Sequence, residues 1–165
     1  MEQKLALCLQ TLAAQYHPKA RLAVILRGLP GSGKSHWVNA LCEALPADGG
    51  TRLRRAGIFS TDNFFLHQGE YRFDGNKLAM NHQLNLAAFI EALGRGEPLV
   101  ICDNTNLAHW EFVAYEAAAT ALGYATVRVL VGDPRSRAHQ TLCAGRNQHG
   151  VSLAAITKMA RSFEK

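Results

Sequence analysis

The chain has 165 residues, of which 48% are apolar and 19% charged, and this is the composition of a globular protein with one hydrophobic core. No apolar run approaches the roughly 20 residues that span a bilayer, and four scattered cysteines without a CxxC pair predict reduced thiols. We therefore expect a cytoplasmic protein with no membrane partner. The net charge of +5 suits an anionic ligand such as a nucleic acid, although a solvated basic surface is its commoner cause, and it leaves the oligomeric state open.

Helical and strand-like patterns alternate along the chain. In chain order they predict a helix over 2–16, a strand over 21–28, a helix over 34–45, a loop over 47–51, a strand over 54–61, a helix over 76–93, a strand over 99–103, a helix over 107–122, a strand over 124–131, a helix starting at Asp133-Pro134, and a last helix over 152–163 capped by Ser152. Strands separated by helices predict an α/β fold, with a parallel sheet and helices on both faces. We treat residues 1–165 as a single domain, with an N-terminal helix within 1–18.

The segment that follows each predicted strand is rich in polar residues or glycine. These four segments are "GLPGSGKS", "STDNFF", "DNTN" and "GDPRSR". In open parallel sheets, ligands bind beyond the carboxyl ends of the strands. The four segments are therefore expected to share one site.

The first of these segments matches the pattern GxxxxGK[ST] in full, after a strand and before a helix. Its glycines allow several backbone N–H groups to face one point, and the helix adds its positive end. We expect it to bind the phosphates of a nucleoside triphosphate such as ATP, with Lys34 on the β- and γ-phosphates and the Ser35 hydroxyl on Mg²⁺. The residues expected to hold the nucleotide are Gly28, Pro30, Gly31, Ser32, Gly33, Lys34, Ser35 and His36. The alternative is a glycine-rich turn with a chance lysine.

Nucleotide binding leaves phosphorylation, ATP-driven motion and switching open as functions. The base-reading NKxD pattern of switch GTPases is absent, and motor ATPases usually need longer chains. A small P-loop domain favours a kinase. In a kinase, a carboxylate accepts the proton of the attacking hydroxyl, and Asp62 after the second strand is the candidate. The alternative for Asp62 is a turn or helix-capping role.

Two further segments carry candidate residues on the same edge. Asp103 ends an apolar strand, where a carboxylate can hold Mg²⁺ directly or through water, or simply close a turn. Thr105 and Asn106 are equally suited to contacting the acceptor and to capping the next helix. In the lid region, at about 133–151, Arg146 beside "NQHGV" is the best candidate for stabilising charge on the transferring phosphoryl group.

The segment "GEYRFDGNKLAMNHQLN" is less specific. His82 and Asn85 are three residues apart, so they share a helix face and are candidates for lining the acceptor site, while a structural hydrogen bond is an equal alternative for His82. Tyr71 and Phe73 are candidates for stacking on a base, although packing is the commoner fate of aromatic residues.

The stretches "GLPGSGKSHW", "STDNFF", "YRFD", "DNTNL" and "RNQHGV" stand in an order and spacing that resembles P-loop polynucleotide 5′-kinases. The closest resemblance is to Nedd4-binding-protein-2-like and phage-type polynucleotide kinase domains, and it runs from about residue 21 to 164. It implies a P-loop NTPase with an adenylate-kinase-like core and a small lid, which transfers the γ-phosphate of ATP to the 5′-hydroxyl of DNA or RNA. It implies Asp62 as the general base, Arg146 as the lid arginine, and Thr105 as an acceptor contact.

The chain departs from the phage-type pattern at Phe65, three residues after Asp62, where those enzymes carry an arginine that holds the acceptor phosphate. Arg72 is a candidate substitute. The departure keeps two alternatives open. One is a kinase for a small molecule such as a nucleoside, a sugar or an antibiotic, and the other is a nucleotide-binding regulatory module with little phosphotransfer.

Overall fold

A computed structural model describes residues 1–165 and contains six strands and seven α-helices. The strands are β1 (Leu22–Arg27), β2 (Ile58–Phe59), β3 (Leu66–His67), β4 (Glu70–Tyr71), β5 (Leu99–Asp103) and β6 (Ala125–Leu130). The α-helices are α1 (Glu2–Gln15), α2 (Lys34–Ala44), α3 (Gly49–Ala56), α4 (Leu78–Gly94), α5 (Val113–Ala121), α6 (Arg137–Arg146) and α7 (Leu153–Ala160). Short 3-10 turns cover Thr61–Phe65, Gly75–Lys77 and His109–Glu111. None of the helices combines the length and the apolarity that crossing a bilayer requires.

The predicted α/β fold with a parallel sheet is confirmed. Four parallel strands lie in the order β2-β5-β1-β6, with Leu22 of β1 beside Leu99 on one side and Ala125 on the other. The central strand β1 is apolar throughout its middle, as expected of a strand that is covered on both faces. Its carboxyl end and that of β5 therefore open onto the same edge.

Alternate side chains of β1 enter two separate hydrophobic clusters. Val24 and Leu26 pack with residues of α1 and α2, whereas Ala23 and Ile25 pack with residues of α4 and α5. A third cluster joins Leu29, at the start of the glycine-rich loop, to α6 and α7. The helices on both faces thus hold the loop after β1 in place.

Arg27, the last residue of β1, is only 4% exposed. Its guanidinium donates to the carbonyl oxygens of Asn106, Leu107 and Glu164, and it lies over the ring of Phe112, 4.8 Å from the centroid. This side chain joins the central strand to the segment after β5 and to the C-terminal residues.

The prediction for residues 47–61 is wrong in two places. The expected loop over 47–51 and strand over 54–61 are largely replaced by α3, and only Ile58 and Phe59 form a strand. Leu53 is buried against the first cluster, and a methyl at Gly50 would meet the carbonyl oxygen of Cys42 on α2. Close packing of α3 on α2 therefore outweighs the loop-forming tendency of the two glycines.

Other boundaries shift by a few residues. The expected helix over 107–122 begins as a 3-10 turn, and α5 starts only at Val113. Asp133 accepts a bond from the Arg135 amide in a local turn, and α6 begins later, capped by Ser136. Ser152 is confirmed as the cap of α7, where its hydroxyl accepts from the Ala155 amide at 3.2 Å.

A small antiparallel hairpin, β3–β4, was not predicted from the sequence. Its two-residue turn is Gln68-Gly69, and both residues have positive φ, +52° and +83°. This combination gives the twist that two-residue hairpin loops require. The hairpin directly follows the 3-10 turn that carries Asp62.

Candidate functional site

The glycine-rich loop links β1 to α2 in the conformation that its pattern predicts. Gly28, Gly31 and Gly33 have φ of +152°, +79° and +104°. The first helical bond of α2 runs from the Trp37 amide to the Gly33 carbonyl, so the amides of residues 34–36 have no partner within the helix. These free N–H groups and the helix dipole favour an anion at this point.

The interior of the loop suits a phosphate group. A methyl at Gly31 would meet the Cys143 carbonyl oxygen and the Asn147 backbone, so the absence of a side chain lets α6 approach the loop. The Ser32 hydroxyl is buried without a hydrogen-bond partner. An unpaired buried polar atom beside free amides is what an anion-binding cradle requires.

Lys34 lies half-buried at the start of α2. Its ammonium donates to the loop's own carbonyl oxygens, Gly28 at 3.0 Å and Leu29 at 3.1 Å. Burial lowers the pKa of Lys34, and the charges of Asp103 and Asp62 oppose that shift. Both carboxylates therefore act on this ammonium, although neither forms an ion pair with it.

Asp103 ends β5 and lies beside Leu26 of β1. Burial raises its pKa, Lys34 opposes the shift, and Asp62 reinforces it. Lys34 and the two aspartates are thus close enough at the edge of the sheet for their charges to affect one another. The sequence predicted that Lys34, Asp62 and Asp103 would share a site, and the structure brings them together.

Asp62 occupies the first turn of the 3-10 segment after β2, and its side chain is 53% exposed. Its carboxylate accepts no hydrogen bond from the backbone, so the helix-capping alternative is not supported. The nearest basic group is His149, whose Nε2 lies 3.8 Å from Asp62 Oδ2. Asp62 is therefore a half-exposed carboxylate that contacts His149 and whose charge acts on Lys34 of the loop.

Thr105 and Asn106, which the sequence left as equivalent candidates, have different environments. The Thr105 carbonyl accepts the Gly28 amide at 2.9 Å, and its half-buried hydroxyl is free. Asn106 is buried with φ of +46°, and its side chain donates to the Leu26 carbonyl at 2.7 Å. Thr105 remains available to an acceptor, whereas Asn106 supports the backbone next to the loop.

The prediction that Asn85 lines the acceptor site is corrected by its burial, whereas the same prediction for the exposed His82 stays a prediction. Asn85 is 1% exposed, and its amide donates to the Tyr115 hydroxyl at 3.0 Å. His82 Nδ1 lies 3.0 Å from the hydroxyl of Thr61, next to Asp62. Asn85 cannot reach an acceptor, because its side chain is buried between α4 and Tyr115 of α5.

The two candidate arginines, Arg146 and Arg72, differ in their partners, and Arg135 of the lid region packs on an aromatic ring. Arg146 is exposed at the end of α6, and it makes no hydrogen bond or ion pair. Arg135 lies over the Phe163 ring, 5.4 Å from its centroid, while Arg72 donates to Glu70 at 2.8 Å and is well exposed. Arg146 is therefore free to meet a ligand, whereas Arg72 would first have to leave its partner.

Sequence reasoning missed three residues near the site. Asn104 accepts the Thr61 amide at 2.9 Å, which ties the end of β5 to the turn that carries Asp62. Tyr115 lies behind that turn, where burial raises its pKa to about 12. Asn104 stands in the quoted "DNTN" segment and could have been found there, whereas the roles of Tyr115 and His149 depend on contacts between distant segments.

The residues that could ligate Mg²⁺ fit a site completed by phosphates. The Ser35 side chain is exposed at the first turn of α2, and Asp103 is half-buried nearby. No cluster of three or more His, Cys, Asp or Glu side chains could hold a metal by itself. Mg²⁺ in nucleotide sites is commonly held by one or two protein groups, phosphate oxygens and water, which suits this sparse donor set.

Comparison with known proteins gives one family match and several similar proteins for this chain. Residues 24–165 match the family model described as an AAA domain. The chain is 36% identical over 144 residues to NEDD4-binding protein 2 of Homo sapiens, and the alignment covers 86% of this chain but 8% of that protein. It is 28% identical to YLP motif-containing protein 1 of Rattus norvegicus and of Mus musculus, over 87% of this chain and 11% of each relative. The chain thus spans a small fraction of the relatives it matches.

Proposed function

Because this chain belongs to the P-loop family of AAA domains, whose model matches residues 24–165, we propose that it is an ATP- and Mg²⁺-dependent kinase. The proposed reaction moves the γ-phosphate of ATP to the 5′-hydroxyl of a polynucleotide. The observation that carries the proposal is the glycine-rich loop, whose free amides and Lys34 stand at the strand end beside Asp103. Asp103 and Asp62 are both close enough for their charges to oppose the lowering of the Lys34 pKa. A catalytic carboxylate opposite a phosphate-binding lysine is the arrangement that phosphoryl transfer needs.

Each residue has a distinct part in this reaction. The loop amides and Lys34 hold the phosphates in line, and Asp62 accepts the proton of the attacking hydroxyl. The hydroxyl oxygen forms the new bond to phosphorus while the bond to the β-phosphate oxygen breaks, and ADP leaves. Arg146 would stabilise the charge on the transferring group. Mg²⁺, when bound through Ser35 and Asp103, supplies positive charge to the phosphate oxygens.

The polynucleotide acceptor is supported by three features. The net charge is +5, Arg146 is exposed and unpaired at the end of α6, and the hydroxyl of Thr105 is free beside the phosphate loop. A basic site on the acceptor side favours a substrate that carries phosphates. The acceptor assignment also rests on the resemblance of "DNTN" and "RNQHGV" to polynucleotide kinases.

The experiment incubates the full chain with labelled ATP, Mg²⁺ and 5′-hydroxyl RNA or DNA oligonucleotides. We expect transfer of label to an oligonucleotide, and we expect Asp62→Asn to keep ATP affinity while it lowers turnover by roughly a hundredfold or more. Asp48→Asn is the matched control, because Asp48 is an exposed carboxylate directly before α3, and this variant should behave as wild type. Nucleotide binding without transfer to any acceptor would overturn the kinase and favour a regulatory module.

A small-molecule acceptor is the second candidate, and Phe65 favours it. Its ring is 1% exposed and packs against Phe73 at a centroid distance of 5.2 Å, so this position offers no basic group to an acceptor phosphate. A panel of nucleosides, sugars and aminoglycosides alongside the oligonucleotides separates the two candidates. Turnover confined to a small molecule would replace the polynucleotide.

A further inference from the structure

We propose that His149 is a positioning residue that orients the Asp62 carboxylate. The His149 ring is itself held by stacking on the ring of Tyr71. The inference rests on the proposed function, because it concerns the same general base. It assigns a role to the second half of "RNQHGV", which the sequence and the proposed mechanism leave unused. His149 lies within residues 147–151, which we call the 147–151 turn.

The 147–151 turn is held closed by one side chain. The side-chain nitrogen Nδ2 of Asn147 donates to the Val151 carbonyl at 2.8 Å, and the backbone amide of Val151 donates to Asn147 Oδ1 at 2.8 Å. The same nitrogen donates to the Cys143 carbonyl at the end of α6. Bonds at both ends fix the shape of the turn, so His149 at its tip has a defined position.

The first residue of the turn lies against the phosphate loop. A methyl at Gly31 would contact the Asn147 backbone and the Cys143 carbonyl oxygen. A shift of the phosphate loop is therefore passed directly to the turn. Arg146, the candidate for contacting the transferring group, directly precedes it.

The tip of the turn reaches the general base. His149 Nε2 lies 3.8 Å from Asp62 Oδ2, and the His149 ring stacks on Tyr71 with centroids 4.1 Å apart and planes 36° apart. Burial raises the pKa of the Tyr71 hydroxyl, and the charge and hydrogen bonding of Asp62 raise it further, which places the phenol next to the same carboxylate. Two rings from different segments thus flank Asp62.

This contact supplies what Asp62 otherwise lacks. The carboxylate is half-exposed, and no backbone group fixes its rotamer. A general base must lie within about 2.6–3.2 Å of the hydroxyl oxygen whose proton it takes. The His149 side chain makes no hydrogen bond, and its contacts are those with Asp62 and Tyr71. At 3.8 Å the imidazole can orient the carboxylate directly or through one water, and it takes no part in the proton transfer. The orientation of Asp62 therefore depends on the position of the 147–151 turn, and that position depends on the phosphate loop against which Asn147 packs.

The test compares His149→Ala and His149→Phe, which keeps the stacking surface but removes Nε2. Misplacing a catalytic group by an ångström lowers rates by about tenfold to a hundredfold. We expect both variants to lose turnover in that range with an unchanged KM for ATP. Gln148→Ala, an exposed neighbour in the same turn, is the control and should match wild type. Wild-type turnover in His149→Phe would overturn the proposal, since stacking alone would then suffice.

A second arm distinguishes positioning from a general structural effect. Because His149 acts through Asp62, adding His149→Ala to Asp62→Asn should cause no further loss of turnover. A full additional loss in the double variant would overturn the inference and leave the proposed kinase intact. A wild-type protein that phosphorylates nothing would instead remove the proposed function.

A third measurement does not depend on activity. Amide hydrogen exchange of the 147–151 turn and of residues 61–71 reports whether the two segments support each other. Tyr71→Ala should speed exchange in the turn, and His149→Ala should speed exchange around Asp62. Unchanged exchange in both variants would contradict the contact itself.

Discussion

At the scale of single residues, Gly31 shows how the phosphate loop and α6 depend on each other. Gly31→Ala adds a methyl against Cys143 and Asn147 at a φ of +79°, whereas Gly96→Ala adds one at +77° with nothing within 4 Å. Both variants should lose about 1–2 kcal/mol to backbone strain. Only Gly31→Ala should also weaken nucleotide binding, by about tenfold or more, because α6 must move away from the loop.

Thermal denaturation and nucleotide titration of the two variants check this prediction. Equal loss of affinity in both would contradict it, since only Gly31 lies in the phosphate loop and against α6. Unchanged affinity in Gly31→Ala would mean that α6 does not hold the loop.

Asp103 provides a prediction about pH. Its pKa in the folded protein is raised by burial, so the folded state binds this proton more tightly than the unfolded state does. The associated stability is present at low pH and is lost as pH rises from the ordinary aspartate value through the raised one. Asp103→Asn should therefore unfold at higher temperature than wild type at pH 7, with the difference shrinking in acid.

The same substitution should weaken Mg²⁺-dependent nucleotide binding, because an amide is a poorer ligand than a carboxylate. Melting curves between pH 4 and pH 8, with and without Mg²⁺ and ATP, measure both effects. A variant less stable than wild type throughout this range would contradict the sign. The raised pKa and the proposed metal role together make Asp103 a residue kept at the expense of stability.

At the scale of elements, α3 depends on one close approach. A methyl at Gly50 would meet the Cys42 carbonyl on α2, whereas a methyl at Gly94 on α4 would meet nothing within 4 Å. Gly50→Ala should destabilise the fold by about 1–3 kcal/mol through overpacking. Gly94→Ala should stabilise it by about 0.5 kcal/mol, because alanine loses less backbone entropy in a helix. Denaturant unfolding measures both, and the same sign for both variants would contradict the argument.

The elements also mark how far sequence reasoning extends. The pattern located β1, β5 and β6 and the helices that follow them, because long apolar strands and a glycine-lysine loop are local signals. It missed α3, since the packing of Gly50 on Cys42 is a tertiary contact. It also missed the β3–β4 hairpin, whose Gln68-Gly69 turn is not one of the usual hairpin pairs.

The candidate site divides in the same way. Lys34, Asp62 and Asp103 follow strands of a parallel sheet, so their meeting could be predicted from topology. The burial of Asn85 could not be predicted, because helical spacing does not tell which face meets the sheet. The approach of His149 to Asp62 links segments that are far apart along the chain, and no local pattern encodes it.

At the scale of the whole molecule, Arg27 joins the central strand to the C-terminal segment. Arg27→Met would remove three charge-assisted hydrogen bonds and leave the buried Asn106 carbonyl without a donor, while the Leu107 carbonyl keeps the Glu164 amide. It should destabilise the protein by about 3 kcal/mol. Arg128→Met is the matched control, because Arg128 also lies over Phe112 but is half-exposed. It should lose about 1 kcal/mol or less. Chemical denaturation of both variants measures the difference, and similar losses would contradict a central role for Arg27.

The ammonium of Lys34 already has two partners inside its own loop, the carbonyl oxygens of Gly28 and Leu29. An arriving triphosphate therefore exchanges one set of contacts for another and does not simply add a new set. The measured affinity should understate the attraction between lysine and phosphate by the strength of the bonds given up.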